Sequence, residues 1–139
     1  MRRSLLLAAP LALTACASGQ PIHPALESDM ALFSNAPTIE VRLANFDFTP
    51  PLIRMRAGHP YRLELHNDSG GGHTFTAPAF FAAARVAGRD APLIAGGQVR
   101  LAGGESRIVH LIPARGTYKL VCSHRGHALL GMTARIAVD

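Results

Sequence analysis

From Thr38 onward the apolar residues of this chain fall on every second position. Ile39, Val41 and Leu43 share one face, with Glu40 and Arg42 on the other. A period of two marks a half-buried strand, because successive side chains of an extended backbone point to opposite sides. Tyr61, Leu63 and Leu65 repeat the pattern against Arg62, Glu64 and His66. Further runs lie at Leu52 to Met55, His73 to Thr76, Gln98 to Leu101, Ser106 to Ile112, Gly116 to Cys122 and Met132 to Val138. Pro50-Pro51, Gly58-His59-Pro60 and Gly70-Gly71-Gly72 punctuate them with residues that suit turns. Seven or eight strands at this spacing predict an all-β, Greek-key sandwich. The texture changes only from Pro78 to Gly88, where Phe80, Phe81, Ala84 and Val86 among alanines predict a short helix capping the sheet and ended by Gly88.

The 139 residues leave room for one domain and its appendages. Apolar residues make up 48% and charged residues 17%, the reverse of what keeps a chain disordered. The formal charge is +5, and it falls to +3, 12 basic against 9 acidic, once Arg2 and Arg3 are set aside. These cations stand singly, without the runs or aromatic interleaving of a nucleic-acid groove, so no nucleic-acid partner is expected. Gly70 to Gly72 has no Lys-Ser or Lys-Thr after it and reads as a turn, not a phosphate cradle.

Residues 1–16 combine Arg2-Arg3, an apolar stretch from Leu5 to Leu13 and small residues before a cleavage point, the three parts of a secretory signal. The apolar stretch is too short to span a bilayer. Leu13-Thr14-Ala15-Cys16 resembles the lipobox of bacterial lipoproteins, which implies cleavage before Cys16, lipid on its sulfur and a membrane tether. Ala17 in place of Asp implies outer-membrane sorting in a host with two membranes. The alternative is an ordinary signal cut after Ala17, which discards Cys16. Residues 17–37, with Ser, Gly, Gln and three Pro, are expected to form a flexible tether, and 38–139 the domain. A periplasmic or cell-envelope protein follows, monomeric, with Cys122 as the only Cys of its folded part. A lone thiol in an oxidising compartment invites an explanation, and metal ligation is one; a buried core Cys is the bland one.

Cys122, His127 and Met132 lie in a single run, Cys-Ser-His-Arg-Gly-His-Ala-Leu-Leu-Gly-Met, with four residues between each and the next. A thiolate and a thioether favour copper, and two His, one Cys and a weak axial Met define a blue-copper electron-transfer site. A structural zinc site wants four strong ligands and finds half a set here. The second imidazole has to come from another strand, and His73, after the glycine turn, is the candidate. His124 is a competitor for His127, but one residue between it and Cys122 is too few for the loop to turn. It reads as a surface residue or a neighbour of the ligands. His23, His59, His66 and His110 have no ligand partner near them in sequence and read as ordinary polar residues.

With these residues in view, the chain from Thr38 to Asp139 resembles the cupredoxins, the family of azurin, plastocyanin and pseudoazurin. The matching landmarks are an opening strand with Phe46 and Phe48, Leu65-His66-Asn67 ahead of His73, and Phe75 two residues after it. Gly103-Gly104-Glu105-Ser106, Gly116-Thr117-Tyr118 leading to Cys122, and Gly131-Met132 complete them. The resemblance implies one type I copper held by His73, Cys122, His127 and axial Met132. It also implies that the Thr74 amide donates to the Cys122 sulfur, with the hydroxyls of Thr74 and Ser123 bracing the two loops. Single-electron transfer through the edge of His127 is the expected function, with a redox partner docking near His127 and Leu129. A copper carrier or storage protein with the same ligands is the alternative. Enzymatic activity is not expected, because the chain lacks the His-x-His pairs of multicopper enzymes.

Overall fold

The structure, a computed structural model, describes residues 22–139. The expected signal segment and Cys16 lie outside the described residues. Eleven strands and one helix follow in order: β1 (Ala25–Glu27), β2 (Thr38–Ala44), β3 (Asp47–Thr49), β4 (Leu52–Met55), β5 (Tyr61–Asn67), β6 (His73–Thr76), α1 (Pro78–Ala83), β7 (Arg85–Ala87), β8 (Gln98–Leu101), β9 (Ser106–Ile112), β10 (Gly116–Val121) and β11 (Thr133–Val138). They form a six-stranded sheet in the order β1-β7-β9-β5-β2-β3 and a five-stranded sheet in the order β4-β11-β10-β6-β8. The two make a β-sandwich. The strands beyond the expected seven or eight include three three-residue pieces, β1, β3 and β7, too short for an alternating pattern to show.

The alternation decides which way each strand faces. Val41, Leu43, Leu63, Leu65, Val109 and Leu111 of one sheet and Ile53, Phe75, Val99, Leu120 and Ile136 of the other are buried in one core. Each such side chain contributes roughly 1.5–3 kcal/mol on leaving water. Through this core runs a chain of rings, Phe48 to Phe75 to Phe81 to Phe80 to Tyr118, with neighbouring centroids 5.4–6.3 Å apart. These are tilted and edge-on contacts of the kind aromatic quadrupoles favour.

The predicted helix is shorter than expected. Pro78 starts it, but Ala84 already has extended backbone angles and Val86 pairs with Leu111 in a strand. A β-branched residue opposite a leucine on a half-formed sheet gains more from pairing than from another helical turn. Residues 88–97 then form 3-10 turns, an element the sequence pattern did not reveal.

Part of the segment expected to be a tether carries structure. Ala25–Glu27 pair in parallel with Arg85–Ala87, and Phe33 is buried in a small cluster with Ala87 and Ile112. The Phe33 ring stands edge-on to His110, 5.5 Å between centroids. His110 is itself buried against Asp90, whose Oδ2 accepts from the His110 backbone N–H and lies 2.8 Å from its Nδ1. The outward side of β9 at His110 and Ile112 is therefore covered by the stretch that precedes β2, while Ile108 nearer the start of the strand stays exposed. Phe33→Ala is expected to lower the unfolding free energy by about 3 kcal/mol, read as a shift of the urea midpoint at constant slope; an idle spacer would give no shift.

Candidate metal centre

Strand polarity gathers the candidate ligands at one end of the sandwich. β2 and β5 run parallel, so Ala44 and Asn67 emerge together, and β9 returns from the same end with Ser106 opposite His66. In the other sheet, Val121 at the close of β10 faces Thr133 at the opening of β11. The Cys122 N–H donates to the Met132 carbonyl at 3.1 Å, which prolongs that ladder by one residue. His73 opens β6, whose Thr76 pairs with Val121.

Asn67 joins the two sheets here. Its side-chain amide donates to the carbonyls of Gly71 at 2.7 Å and Ala102 at 2.8 Å, while its oxygen accepts from the N–H and hydroxyl of Ser69. The glycine turn before His73 is thereby tied to the turn after β8. Gly103 belongs to that second turn, and a Cβ there would lie 2.3 Å from the Gly70 carbonyl oxygen, so only glycine allows the approach.

His73, Cys122 and His127 converge. The Cys122 Sγ lies 3.7 Å from His73 Nδ1 and 3.6 Å from His127 Nδ1, and the two Nδ1 atoms are 3.2 Å apart. A point equidistant from all three lies about 2.0 Å from each, the reach of a metal–nitrogen bond and slightly less than a metal–sulfur bond. Among the described residues this is the one group of His, Cys or carboxylate atoms placed to hold an ion. The donor set fits a soft transition metal better than a hard oxygen-seeking one. Cys122 is fully buried, and Thr74 directs its backbone N–H to Sγ at 3.4 Å and its hydroxyl at 3.7 Å. Hydrogen bonds donated to a sulfur ligand fix where it points.

His73 is buried too, and burial, reinforced by the charges of His127 and His124, holds it below the ordinary imidazole range. That keeps it neutral, with a lone pair to give, near pH 7. Its Nε2 is buried without a hydrogen-bond partner among the described residues, so its orientation comes from packing and not from a bond behind the ring.

Met132 is fully buried, in the same core cluster as Cys122. Its N–H donates to the His127 carbonyl at 3.0 Å, and Gly131, at φ +98°, supplies the backbone reversal that this closure needs. His124 is exposed on the same loop, its ring centroid 4.8 Å from that of His127, and it is not among the converging donors. Ser123 belongs to a hydroxyl network: its N–H donates to Thr74 Oγ1 at 2.7 Å and its hydroxyl to Gln98 Oε1 at 2.8 Å. The Thr76 hydroxyl joins the Thr74 hydroxyl at 2.9 Å. Thr76 and Gln98 escaped the sequence reading, although Thr76 shares a strand face with Thr74 and is the register partner of Gln98. Phe46 is not on a strand but in the β2–β3 turn at φ +67°, with its ring edge-on to His127 at 5.2 Å. Of the histidines read as ordinary, His66 bonds the Ser106 hydroxyl at 2.7 Å and His59 lies 3.1 Å from the Ala57 carbonyl, whereas His110 is the buried partner of Asp90.

No protein-family model and no curated protein matches the chain. Solved structures do. Auracyanin B superposes with a TM-score of 0.58 at 24% identity, over 88% of this chain and 99% of its own. Auracyanin A, a "blue" copper protein from the green thermophilic photosynthetic bacterium Chloroflexus aurantiacus, gives 0.54 at 20% identity, over 75% of this chain and 100% of that one. Dithionite-reduced auracyanin from the photosynthetic bacterium Roseiflexus castenholzii gives 0.56 at 17% identity, over 73% and 96%. This chain has the cupredoxin fold. At these identities the likeness establishes the cupredoxin architecture, and the chemistry of the pole rests on the donor geometry above. Asn67→Ala should cost about 2 kcal/mol in guanidinium unfolding, because the buried Leu101 carbonyl, and those of Gly71 and Ala102 in part-buried bonds, lose their donor, and should weaken metal binding roughly 10- to 100-fold, as losses behind the ligands do.

Proposed function

We propose that this chain is a type I copper protein that passes single electrons between redox partners, with His73, Cys122 and His127 as strong ligands and Met132 as the weak axial one. The observation that carries the reading is the convergence of Sγ and two Nδ1 atoms within 3.2–3.7 Å of one another at the end of a rigid sandwich. A fold shared with a "blue" copper protein supports it. Copper bound there would supply the Cu(I)/Cu(II) couple. The residues of the chain hold the donors nearly still, keep water from Sγ through burial of Cys122, and aim the Thr74 N–H at the sulfur so that its negative charge is stabilised in place.

Exposed Leu129 and Leu130, 94% and 64% accessible, adjoin His127 and offer the small apolar rim that suits a brief redox encounter. The reading further includes export by residues 1–16, lipid attachment at Cys16, a location in the periplasm or cell envelope, and a monomer. Catalysis is no part of it, because copper enzymes use further metal sites or an open coordination position, and the sequence has no His-x-His pair to build one.

Adding Cu(II) to the full chain is expected to produce an intense blue charge-transfer band that persists in His124→Ala and disappears in Cys122→Ser and His127→Ala. A colourless product, or a band that survives Cys122→Ser, would sink the site. A reversible potential with slow copper loss goes with electron transfer, whereas rapid handover to an apo-acceptor would make the protein a copper carrier. Leu129→Lys should slow electron exchange with a partner about tenfold while leaving the band unchanged, as measured by stopped-flow mixing; an unchanged rate removes this loop from the docking surface.

A further inference from the structure

The charges of the molecule are sorted between its two sheets. Eight of the nine carboxylate side chains lie on the six-stranded sheet or in segments flanking it, and Asp139 at the chain end is the exception. The cations on its strands, and Arg89, are paired: Arg42 with Glu40 and Asp68, Arg62 with Glu64, Arg85 with Glu27, Arg89 with Asp90 and Arg107 with Glu105, while Arg56 and Arg115 in the loops before β5 and after β9 are outside these pairs. The outward face of the five-stranded sheet differs. Arg54 on β4, Arg135 on β11, Lys119 on β10 and Arg100 on β8 all point away from the core and are exposed. Among the described residues none of the four is ion-paired.

Register makes this arrangement costly. Lys119 stands directly opposite Arg135, and Arg54 faces Ala137, diagonal to Arg135. Like charges directly across a strand pair repel, and an acidic residue at any of these positions would relieve them. Nothing in the core requires cations here, because the side chains project to solvent. Lys119 and Arg135 also border an open groove of about 700 Å³ with Pro51, Thr117, Tyr118 and Thr133 on its walls.

We propose that the outward face of the five-stranded sheet, centred on Arg54, Lys119 and Arg135, is a docking surface for a protein with an acidic surface. Two features favour a protein over an anionic bilayer. The face is grooved where a bilayer is flat, and the most exposed apolar side chains, Leu129 and Leu130, lie on the ligand loop, while this face carries one exposed large apolar residue, Leu52, opposite Arg135. Unpaired cations above a sheet raise the encounter rate with a negative partner by tenfold or more at low salt, and the gain is screened as ionic strength rises. The surface extends beyond the electron-carrier reading and leans on it in one respect, that the partner so held is a redox protein. Arg100, the register partner of Thr74, carries the positive face up to the pole where His73 sits.

The test is an amide-shift titration of the full chain with three probes: a twelve-residue glutamate peptide, plant-type ferredoxin as a folded acidic redox protein, and vesicles with 30% anionic phospholipid. Both acidic probes should shift residues 52–54, 117–121 and 133–137 at 20 mM salt, and the shifts should fade by 200 mM. Arg54→Gln/Lys119→Gln/Arg135→Gln should weaken ferredoxin binding about tenfold and raise Tm, since it removes repulsion. Arg42→Gln on the opposite sheet should leave binding unchanged. Equal binding by the triple variant, shifts on the six-stranded sheet instead, or vesicles bound more tightly than ferredoxin would each overturn the proposal. The blue band is recorded for every variant, so that absence of copper counts against the electron-carrier reading and leaves the docking result to stand or fall alone.

Discussion

The metal pole depends on a short bridge between the strand that carries His73 and the loop that carries Cys122. Thr74 supplies it: its N–H reaches the Cys122 sulfur, and its hydroxyl accepts the Ser123 N–H at 2.7 Å. One residue thus sets the distance between the two elements and the electrostatics of the thiolate. Thr76 and Gln98 carry the same network one register step further from the pole. Core packing and the Cys122–Met132 ladder bond anchor the loop at its ends, and this network is what ties it to the strand of His73, so that three donor atoms lie within 3.7 Å of one another.

The sandwich makes that bridge stiff. Cys122 and Met132 belong to the same buried cluster as Leu43, Phe75 and Leu120, so the ligands are fixed by side-chain packing as well as by hydrogen bonds. Interiors packed to crystal-like density do not deform smoothly. A site framed this way would let a bound metal change its charge with little movement of its ligands, as the proposed electron transfer requires. The buried, neutral His73 serves the same end, since its position comes from the core and not from solvent.

The division of charge gives the molecule two unlike flanks. Arginines on the six-stranded sheet are neutralised locally by Glu and Asp, and such exposed pairs add little to stability. Those on the five-stranded sheet carry a field outward. A fold that tolerates Lys119 beside Arg135 gives up a little stability for that field, a trade common on surfaces kept for binding.

Much of this was legible in the residues. Alternation marked the long strands, because burying one face forces a period of two, and the Cys122, His127 and Met132 spacing marked the chemistry, because soft donors select their metals. Other parts were hidden for stated reasons. Three-residue strands such as Ala25–Glu27 have no period to detect, and their existence depends on an exposed edge at Arg85–Ala87 that only folding creates. His110 looked like an ordinary polar residue because its partner, Asp90, is 20 positions away. The sequence by itself determined the sandwich and the identity of the candidate donors, since both follow from local pattern and side-chain chemistry. Only the tertiary structure decided that His73 meets Cys122 across 49 residues, and that Lys119 faces Arg135 with no acid to pair them. Contacts of that kind are set by strand order and register, and neither is written in any local stretch of the chain.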